Sequence, residues 1–251
     1  PMLDVKTKDT QQAEFERIRH YVEEHCGIVV GDEKSYLIES RLARLVAETG
    51  CGTFDEFYEL LESRSALDLR DKVIDAITTN ETLWFRDGGP FECLRKELLA
   101  DIVGRNRSGR CRVWSAGCST GQEPDSVAMT IDRAIRESPS LQVSLSDFEI
   151  LATDISPTVL YVAANGRYDS LAIKRGMDDY YLGKYFKQNG RIWVLDERIR
   201  NSVAFKKMNL QEPFAALGTF DLILCRNVLI YFSDRFRSRL YDKFAAALRP
   251  G

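Results

Sequence analysis

The sequence predicts an α/β protein in three parts: an N-terminal all-helical domain (residues 1–76), a parallel sheet covered by helices (77–251), and a small antiparallel insertion within the latter (about 166–199). Three observations support this class. Apolar residues recur at helical spacing before residue 76, short β-type runs alternate with helical stretches after it, and an Asn-Gly turn lies between two apolar runs. With 251 residues, 44% of them hydrophobic, the chain can bury a substantial core.

The composition excludes several classes of protein. A charged fraction of 29% with 16 Gly and 7 Pro excludes disordered and collagen-like chains. A net charge of −3 argues against nucleic acid as a partner, because such proteins need a dominant basic face. The six cysteines form no C-x-x-C pair and cannot complete a zinc site with His20 and His25, so we expect free thiols and no metal. No apolar run approaches the roughly 20 residues that span a bilayer, and we expect a cytoplasmic monomer without membrane insertion.

The N-terminal segment has the pattern of a small helical bundle. Phe15, Ile18 and Val22 recur with one helix period, and similar sets follow further along the chain. The Gly50–Thr53 stretch should end the second helix and cap the third through Thr53.

Four β-type runs follow Ile77, and each ends in small or polar residues. Parallel sheets bind ligands at the carboxyl ends of their strands, so these ends predict a binding site. The predicted strands are 111–115, 149–153, 202–208 and 220–225.

The first strand leads into a loop of small residues and then a helix that should begin near Pro124. Gly117 and Gly121 permit close approach of the backbone to a ligand, although a simple turn explains them equally well. Their G-x-x-x-G spacing matches neither the dinucleotide nor the phosphate-loop fingerprint, so a phosphate ligand is not favoured. The second strand ends at Asp154, which could accept both hydroxyls of a ribose or cap the helix after Ser156.

Four strings carry a family resemblance: Thr78–Arg86, Ser115–Pro124, Ala152–Ile155 and Phe220–Phe232. They resemble the CheR-type chemoreceptor glutamate methyltransferases, in order and over nearly the whole chain. The resemblance implies an N-terminal helical domain, a Rossmann-like domain that binds S-adenosylmethionine, and an inserted antiparallel subdomain that touches the receptor. It also implies an enzyme that methylates glutamate carboxylates on the cytoplasmic domains of chemoreceptors, with S-adenosylhomocysteine as product.

The resemblance also implies roles for individual residues. Arg86 and Tyr231 would be catalytic, Glu123 would bind the methionine ammonium and Asp154 the ribose. A basic helix face would dock the receptor through Lys34, Arg41 and Arg44, although a solvated face explains it equally well. The cofactor would be bound by Asn80, Thr82, Arg86, Gly117, Glu123, Asp154, Asn209, Leu210, Arg226 and Asn227.

Two departures from the family pattern stand out. The family usually reads Gly-Glu-Glu-Pro-Tyr-Ser where this chain has Gly-Gln-Glu-Pro-Asp-Ser at residues 121–126. The two differing residues are Gln122 and Asp125. The family also continues past Arg249–Gly251 into final strands.

The chemistry of such a reaction needs no general base. A glutamate has an ordinary pKa of about 4.3 and is ionised at neutral pH, so the protein must only align it. Arg86 could orient the carboxylate through its planar fork, or simply form a salt bridge, and Tyr231 could be a packed aromatic.

Other functions remain open at this point. A signalling module could bind the cofactor without turnover, and the glycine loop with Asp154 would also suit a small-molecule or nucleic-acid methyltransferase. The insertion's hairpin, with Tyr185, Phe186, Ile192 and Trp193 around its short turn, should expose a strand edge. Because the turn is short, we expect weak or no binding of a receptor-tail peptide there, and the hairpin could equally just shield the site.

Overall fold

The computed structural model describes residues 8–31, 35–63, 66–106 and 109–250. The chain divides into two compact units. One contains Pro1–Thr79 with Val228–Arg239, and the other contains Asn80–Asn227 with Leu240–Gly251.

The first unit is helical, with a buried apolar core. Ile18, Leu42, Phe57 and Leu61 are completely buried within it. Thr53 is the N-cap of the third helix and accepts a hydrogen bond from Glu56 N at 3.1 Å, which confirms the predicted cap. Its described N-terminal residues form helices α1 (Lys8–Cys26), α2 (Ser35–Glu48), α3 (Phe54–Glu62) and α4 (Leu67–Ile77).

The remaining elements belong mainly to the second unit. A helical run extends from α5 (Gly89–Cys93) through a π-helical segment (Leu94–Leu98) to α6 (Leu99–Arg105). The later helices are α7 (Gln122–Glu137), α8 (Pro157–Asn165), α9 (Ser170–Lys174), α10 (Asp179–Tyr185), α11 (Glu197–Arg200) and α12 (Asp234–Ala247). The strands are β1 (Cys111–Ala116), β2 (Phe148–Asp154), β3 (Arg167–Asp169), β4 (Phe186–Asn189), β5 (Ile192–Leu195), β6 (Val203–Lys207) and β7 (Leu222–Leu224).

Four of these strands form the predicted parallel sheet, in the order β6-β2-β1-β7. In the register, Ala116 of β1 lies opposite Thr153 of β2, and Asp154 of β2 lies opposite Lys207 of β6. The carboxyl ends therefore meet at one edge, as the sequence predicts. Each strand alternates with helical segments, and α7 is buried along most of its length.

The insertion forms a three-stranded antiparallel sheet in the order β3-β5-β4. The Asn189–Gly190 hairpin is confirmed, and so is its exposed strand edge, because β4 lies at the edge of this sheet with three of its four residues exposed. Strand β5, which carries Ile192 and Trp193, is central, and Tyr185 and Phe186 are buried in the core of the unit. Only β3 and β4 are edge strands, so these two buried aromatics cannot form pockets for a peptide.

Within the described ranges, no helix combines the length and the apolar character that a transmembrane segment requires.

Candidate functional site

The glycine loop (residues 117–121) lies at the carboxyl end of β1 and folds back over β2. Gly117 N and Cys118 N donate to Thr153 O at 2.8 and 3.0 Å. Gly121 has a φ of +94°, and a Cβ on it would lie 2.9 Å from the Cβ of Ala163 and 3.1 Å from the Tyr168 hydroxyl. Glycine at position 121 is therefore required by packing within the protein, whereas the sequence left ligand approach and a simple turn equally open.

Asp154 ties the glycine loop to the start of α8. Its buried carboxylate accepts hydrogen bonds from Ser119 N at 2.8 Å and from Ser156 N at 3.0 Å. The N-cap of α8 is Ser156, whose side chain accepts from Val159 N at 3.2 Å, and Asp154 supports this cap by accepting from Ser156 N. Asp154 organises the end of β2, and its ribose contact stays a prediction.

Glu123 and Arg226 form an ion pair beside the glycine loop. Arg226 Nη1 lies 3.2 Å from Glu123 Oε2, and Ser115 Oγ donates to Oε1 at 2.8 Å. Burial raises the pKa of the Glu123 carboxyl above its ordinary value, against the opposing effects of Ser115 and Arg226. Arg226 Nη2 also donates to Arg86 O and to Asp87 Oδ2, both at 2.6 Å. Arg226 therefore joins α7 to the segment that contains Arg86.

The segment 80–86 lies along the glycine loop. Ser119 Oγ donates to Asn80 O at 2.9 Å, and Phe85 N donates to Ser126 Oγ of α7 at 3.2 Å. Thr82 and Arg86 are half-buried. The Arg86 guanidinium makes a long 3.5 Å contact to the carbonyl of Glu81, and its positive charge acts on the Glu123 carboxyl.

The loop after β6 lies beside the end of β2, because Met208 N donates to Asp154 O at 2.9 Å. Asn209 Oδ1 accepts from Gln211 N at 3.0 Å, and Leu210 O accepts from Lys243 Nζ at 2.6 Å. Sequence reasoning missed Lys243, since it lies 33 residues further along the chain and carries no local signal.

Backbone strain is concentrated in the same loops. Four non-glycine residues there have positive φ: Phe85 (47°), Asp87 (66°), Ser119 (49°) and Asn227 (59°). Such conformations cost free energy and often mark functional sites. The structure places Gly117, Glu123, Asp154, Asn209, Leu210, Arg226 and Asn227 in or next to the strand-end loops of the sheet. Hydrogen bonds of Ser119 and Arg226 connect these loops to the segment that contains Asn80, Thr82 and Arg86.

Tyr231 and the basic face belong to the first unit. Tyr231 lies half-buried in a turn (Leu229–Tyr231), where its carbonyl accepts from Val29 N at 2.8 Å, and its catalytic role stays a prediction. Lys34 lies outside the described residues. Arg41 Nη1 donates to Ile77 O at 2.9 Å at the end of α4, whereas the exposed Arg44 pairs with Glu48 at 2.7 Å.

Two buried acids on α7 were also missed from the sequence. Asp125 accepts from the Tyr168 hydroxyl at 3.0 Å, and Asp132, two turns later, accepts from the Tyr185 hydroxyl at 2.8 Å. Burial raises the pKa of Asp125 to about 7. Burial would also raise the pKa of Asp132, but hydrogen bonds from Arg198, Arg136 and Tyr185 outweigh it and hold the value at about 2. The available signal was the i, i+7 spacing of two acids on a helix that is otherwise apolar on that face.

The thiols beside the site are not activated. Burial raises the pKa of Cys225 to about 12 and that of Cys118 well above its ordinary value, so both are protonated at neutral pH. In the described part of the chain, no group of three or more His, Cys, Asp or Glu side chains is arranged to hold a metal ion.

Comparison with known proteins agrees with this arrangement. The family model described as the CheR methyltransferase all-alpha domain matches residues 13–78, and the one described as the CheR methyltransferase SAM-binding domain matches residues 80–251.

Curated relatives match nearly the whole chain. Chemotaxis protein methyltransferase Cher2 of Pseudomonas putida is 41% identical over 244 residues, which cover 96% of this chain and 88% of that protein. Chemotaxis protein methyltransferase 1 of Pseudomonas aeruginosa is 42% identical, covering 95% and 86%. The chemotaxis protein methyltransferase of Vibrio parahaemolyticus is 39% identical, covering 100% and 88%. With both of its regions matched, the chain belongs to the CheR methyltransferase family.

Proposed function

We propose that this chain transfers the methyl group of S-adenosylmethionine to glutamate side chains of chemoreceptors, forming methyl esters that serve in chemotaxis signalling. The observation that carries the proposal is the joining of Glu123, Arg226 and the Arg86 segment at the carboxyl end of a parallel sheet. The relatives named as chemotaxis protein methyltransferases support the choice of pathway.

The side chains of the site fit this cofactor in charge and placement. Glu123 offers a carboxylate to the methionine ammonium, and Asp154 offers one to the ribose hydroxyls. A buried carboxyl group at Asp154 and a partly buried one at Glu123, next to neighbouring strand ends, suit a ligand that bears positive charge and hydroxyls. Bound S-adenosylmethionine supplies a methyl group made electrophilic by its positively charged sulfur.

Arg86 orients the acceptor carboxylate. An acceptor glutamate is already ionised near neutral pH, so the chain has to align it and exclude water, and no base is required. The weakly held Arg86 guanidinium can form two parallel hydrogen bonds to a carboxylate. Tyr231 is the second residue that we assign to the acceptor side.

Receptor docking is assigned to α2. Arg41 is engaged with the end of α4, so Arg44 is the charge on this helix that is available to an acidic receptor surface. We expect no strong binding of a receptor-tail peptide to the insertion, since Tyr185 and Phe186 are buried.

The decisive experiment is incubation with methyl-labelled S-adenosylmethionine and candidate receptor fragments. We expect label that is released as methanol in mild base, with the modified glutamates located by peptide mapping. A fragment with those glutamates replaced by alanine is the matched control. Tight S-adenosylhomocysteine binding without transfer would favour a non-catalytic signalling module, and label on RNA or small molecules would favour another methyltransferase.

A further inference from the structure

One tyrosine of the insertion contacts both the glycine loop and helix α7. The Tyr168 hydroxyl lies 3.0 Å from Thr120 O and 3.0 Å from Asp125 Oδ2. Tyr168 is 3% exposed, and its ring packs edge-on against Trp84 at 4.9 Å between centroids. The hydroxyl is therefore fixed, and it lies where a Cβ on Gly121 would be only 3.1 Å away.

A phenol has one hydrogen, but Tyr168 faces two acceptors. If Asp125 is ionised, its carboxylate attracts that hydrogen, and the Tyr168 and Thr120 oxygens are left facing each other without a hydrogen between them. If Asp125 is protonated, it donates to Tyr168, and Tyr168 donates to Thr120. Only the protonated state places a hydrogen in both 3.0 Å contacts.

Asp125 itself favours the neutral state in this environment. It is completely buried, and its Oδ1 has no hydrogen-bond partner, an arrangement that is much less costly for a neutral acid than for an anion. Burial raises its pKa to about 7, with the Tyr168 hydrogen bond opposing that rise.

The two titratable groups that interact directly with Asp125 are uncharged near neutral pH. Tyr168 of β3 and Cys118 of the glycine loop are its electrostatic neighbours, and burial raises the pKa of both well above their ordinary values. Glu123 at the start of α7 and Asp154 at the end of β2 act on Cys118.

We propose that Tyr168 is a positioning residue for the glycine loop, and that a proton on Asp125 decides whether Tyr168 donates its hydrogen to the Thr120 carbonyl. The consequence for cofactor affinity rests on the proposed function, since it requires that the glycine loop contacts the cofactor. Affinity should then be highest when Asp125 is protonated and should fall as the pH rises through its titration.

The test is calorimetric titration of the full chain with S-adenosylhomocysteine between about pH 6 and about pH 8. Relative to D125N, the wild-type dissociation constant should rise about three- to tenfold across this range, the equivalent of one hydrogen bond. The D125N side chain can donate to Tyr168 at every pH and so mimics the protonated acid. Y168F should bind more weakly and without this pH dependence.

Y185F is the matched control. It removes a hydroxyl-to-carboxylate bond of 2.8 Å to Asp132 of the same helix, two turns beyond Asp125. It should keep the wild-type pH dependence of binding. The proposal is overturned if Y168F and Y185F change the affinity equally. It is also overturned if the ratio of the wild-type to the D125N dissociation constant does not change with pH.

A second measurement separates this inference from the proposed function. If no variant binds S-adenosylhomocysteine at any pH, the cofactor assignment fails, and with it the effect on affinity. The proton linkage is then tested by unfolding in denaturant: the stability of wild type relative to D125N should be highest below about pH 4 and fall until about pH 7. A difference that does not change with pH would refute the titration of Asp125.

Discussion

At the residue scale, both carboxylates assigned to the cofactor are held by hydrogen bonds within the protein. Glu123 is held by Ser115 and Arg226, and Asp154 is held by backbone amides of Ser119 and Ser156. These bonds keep the carboxylates in place, so little reorganisation is needed on binding. A cofactor ammonium at Glu123 would have to share that carboxylate with Arg226. The affinity of this site for the cofactor therefore depends on how much of the ion pair between Glu123 and Arg226 is retained.

The Asp154 assignment can be separated from its role in the loop. Asp154→Ala should weaken S-adenosylhomocysteine binding by roughly 1 to 3 kcal/mol, because charged hydrogen bonds are lost. Comparison with a 2′-deoxyribose analogue isolates the ribose: wild type should discriminate between the two ligands and the variant should not. Ser156→Ala, which removes the α8 cap alone, should retain the discrimination. If the alanine variant at 154 still prefers the hydroxylated ligand, the ribose contact lies elsewhere.

Arg86 should matter to turnover more than to folding. Arg86→Ala removes a side chain with one long contact, so the circular dichroism spectrum should be unchanged. The kcat should fall on the order of 100-fold, because alignment of the acceptor is lost. Arg86→Lys keeps the charge without the planar fork and should recover only part of the rate. Near-normal kcat in the alanine variant would remove Arg86 from the catalytic residues.

At the element scale, α7 supports both the site and the insertion. Its first turn carries Glu123, and its buried face presents Asp125 and Asp132 to two tyrosines of the insertion. An acid buried in this way needs a hydrogen-bond partner, and each tyrosine supplies one. The insertion is thus bonded to the same helix that begins at the glycine loop. These two bonds bring Tyr168 and Tyr185 of the insertion into contact with α7, although the tyrosines lie 43 and 53 residues further along the chain than their acids.

Helix α2 should determine receptor affinity. Arg44→Glu should raise the KM for a receptor fragment with little change in kcat, and the effect should shrink as ionic strength rises. Arg44→Ala should give a smaller effect of the same sign. Arg41 is unsuitable as the test position because its side chain holds the end of α4. If KM is unchanged in the Arg44→Glu variant at low salt, docking occurs elsewhere.

At the scale of the whole molecule, the sequence predicted the parallel sheet, the helical N-terminal region and the hairpin. Periodicity and turn chemistry are local features, so the β1–α7 loop, the Thr53 cap and the Asn189–Gly190 turn could all be predicted from the sequence. Side-chain contacts between residues that are distant in sequence could not be predicted in this way. Lys243 contacts a loop 33 residues away, and Tyr168 contacts Asp125 43 residues away, which no local pattern records. For the same reason, the burial of Tyr185 and Phe186 was missed.

The stability of the molecule should depend on Asp132 in a pH-dependent way. Because hydrogen bonds from Arg198, Arg136 and Tyr185 outweigh burial and lower the pKa of Asp132 to about 2, its contribution is present above about pH 4 and is lost as the pH falls toward 2. Asp132→Asn should reduce the free energy of unfolding at neutral pH by about 2 to 3 kcal/mol. The difference from wild type should shrink on acidification.

Glu92 provides the control for that measurement. Its half-exposed carboxylate pairs with Arg95 and Lys96 at the surface, where solvent screens the interaction. Glu92→Gln should therefore change the free energy of unfolding by less than about 1 kcal/mol in the same denaturant titration. Equal losses in the two variants, or a loss at Asp132 that persists at about pH 2, would show that the hydrogen bonds to Asp132 do not carry the stability that its lowered pKa implies.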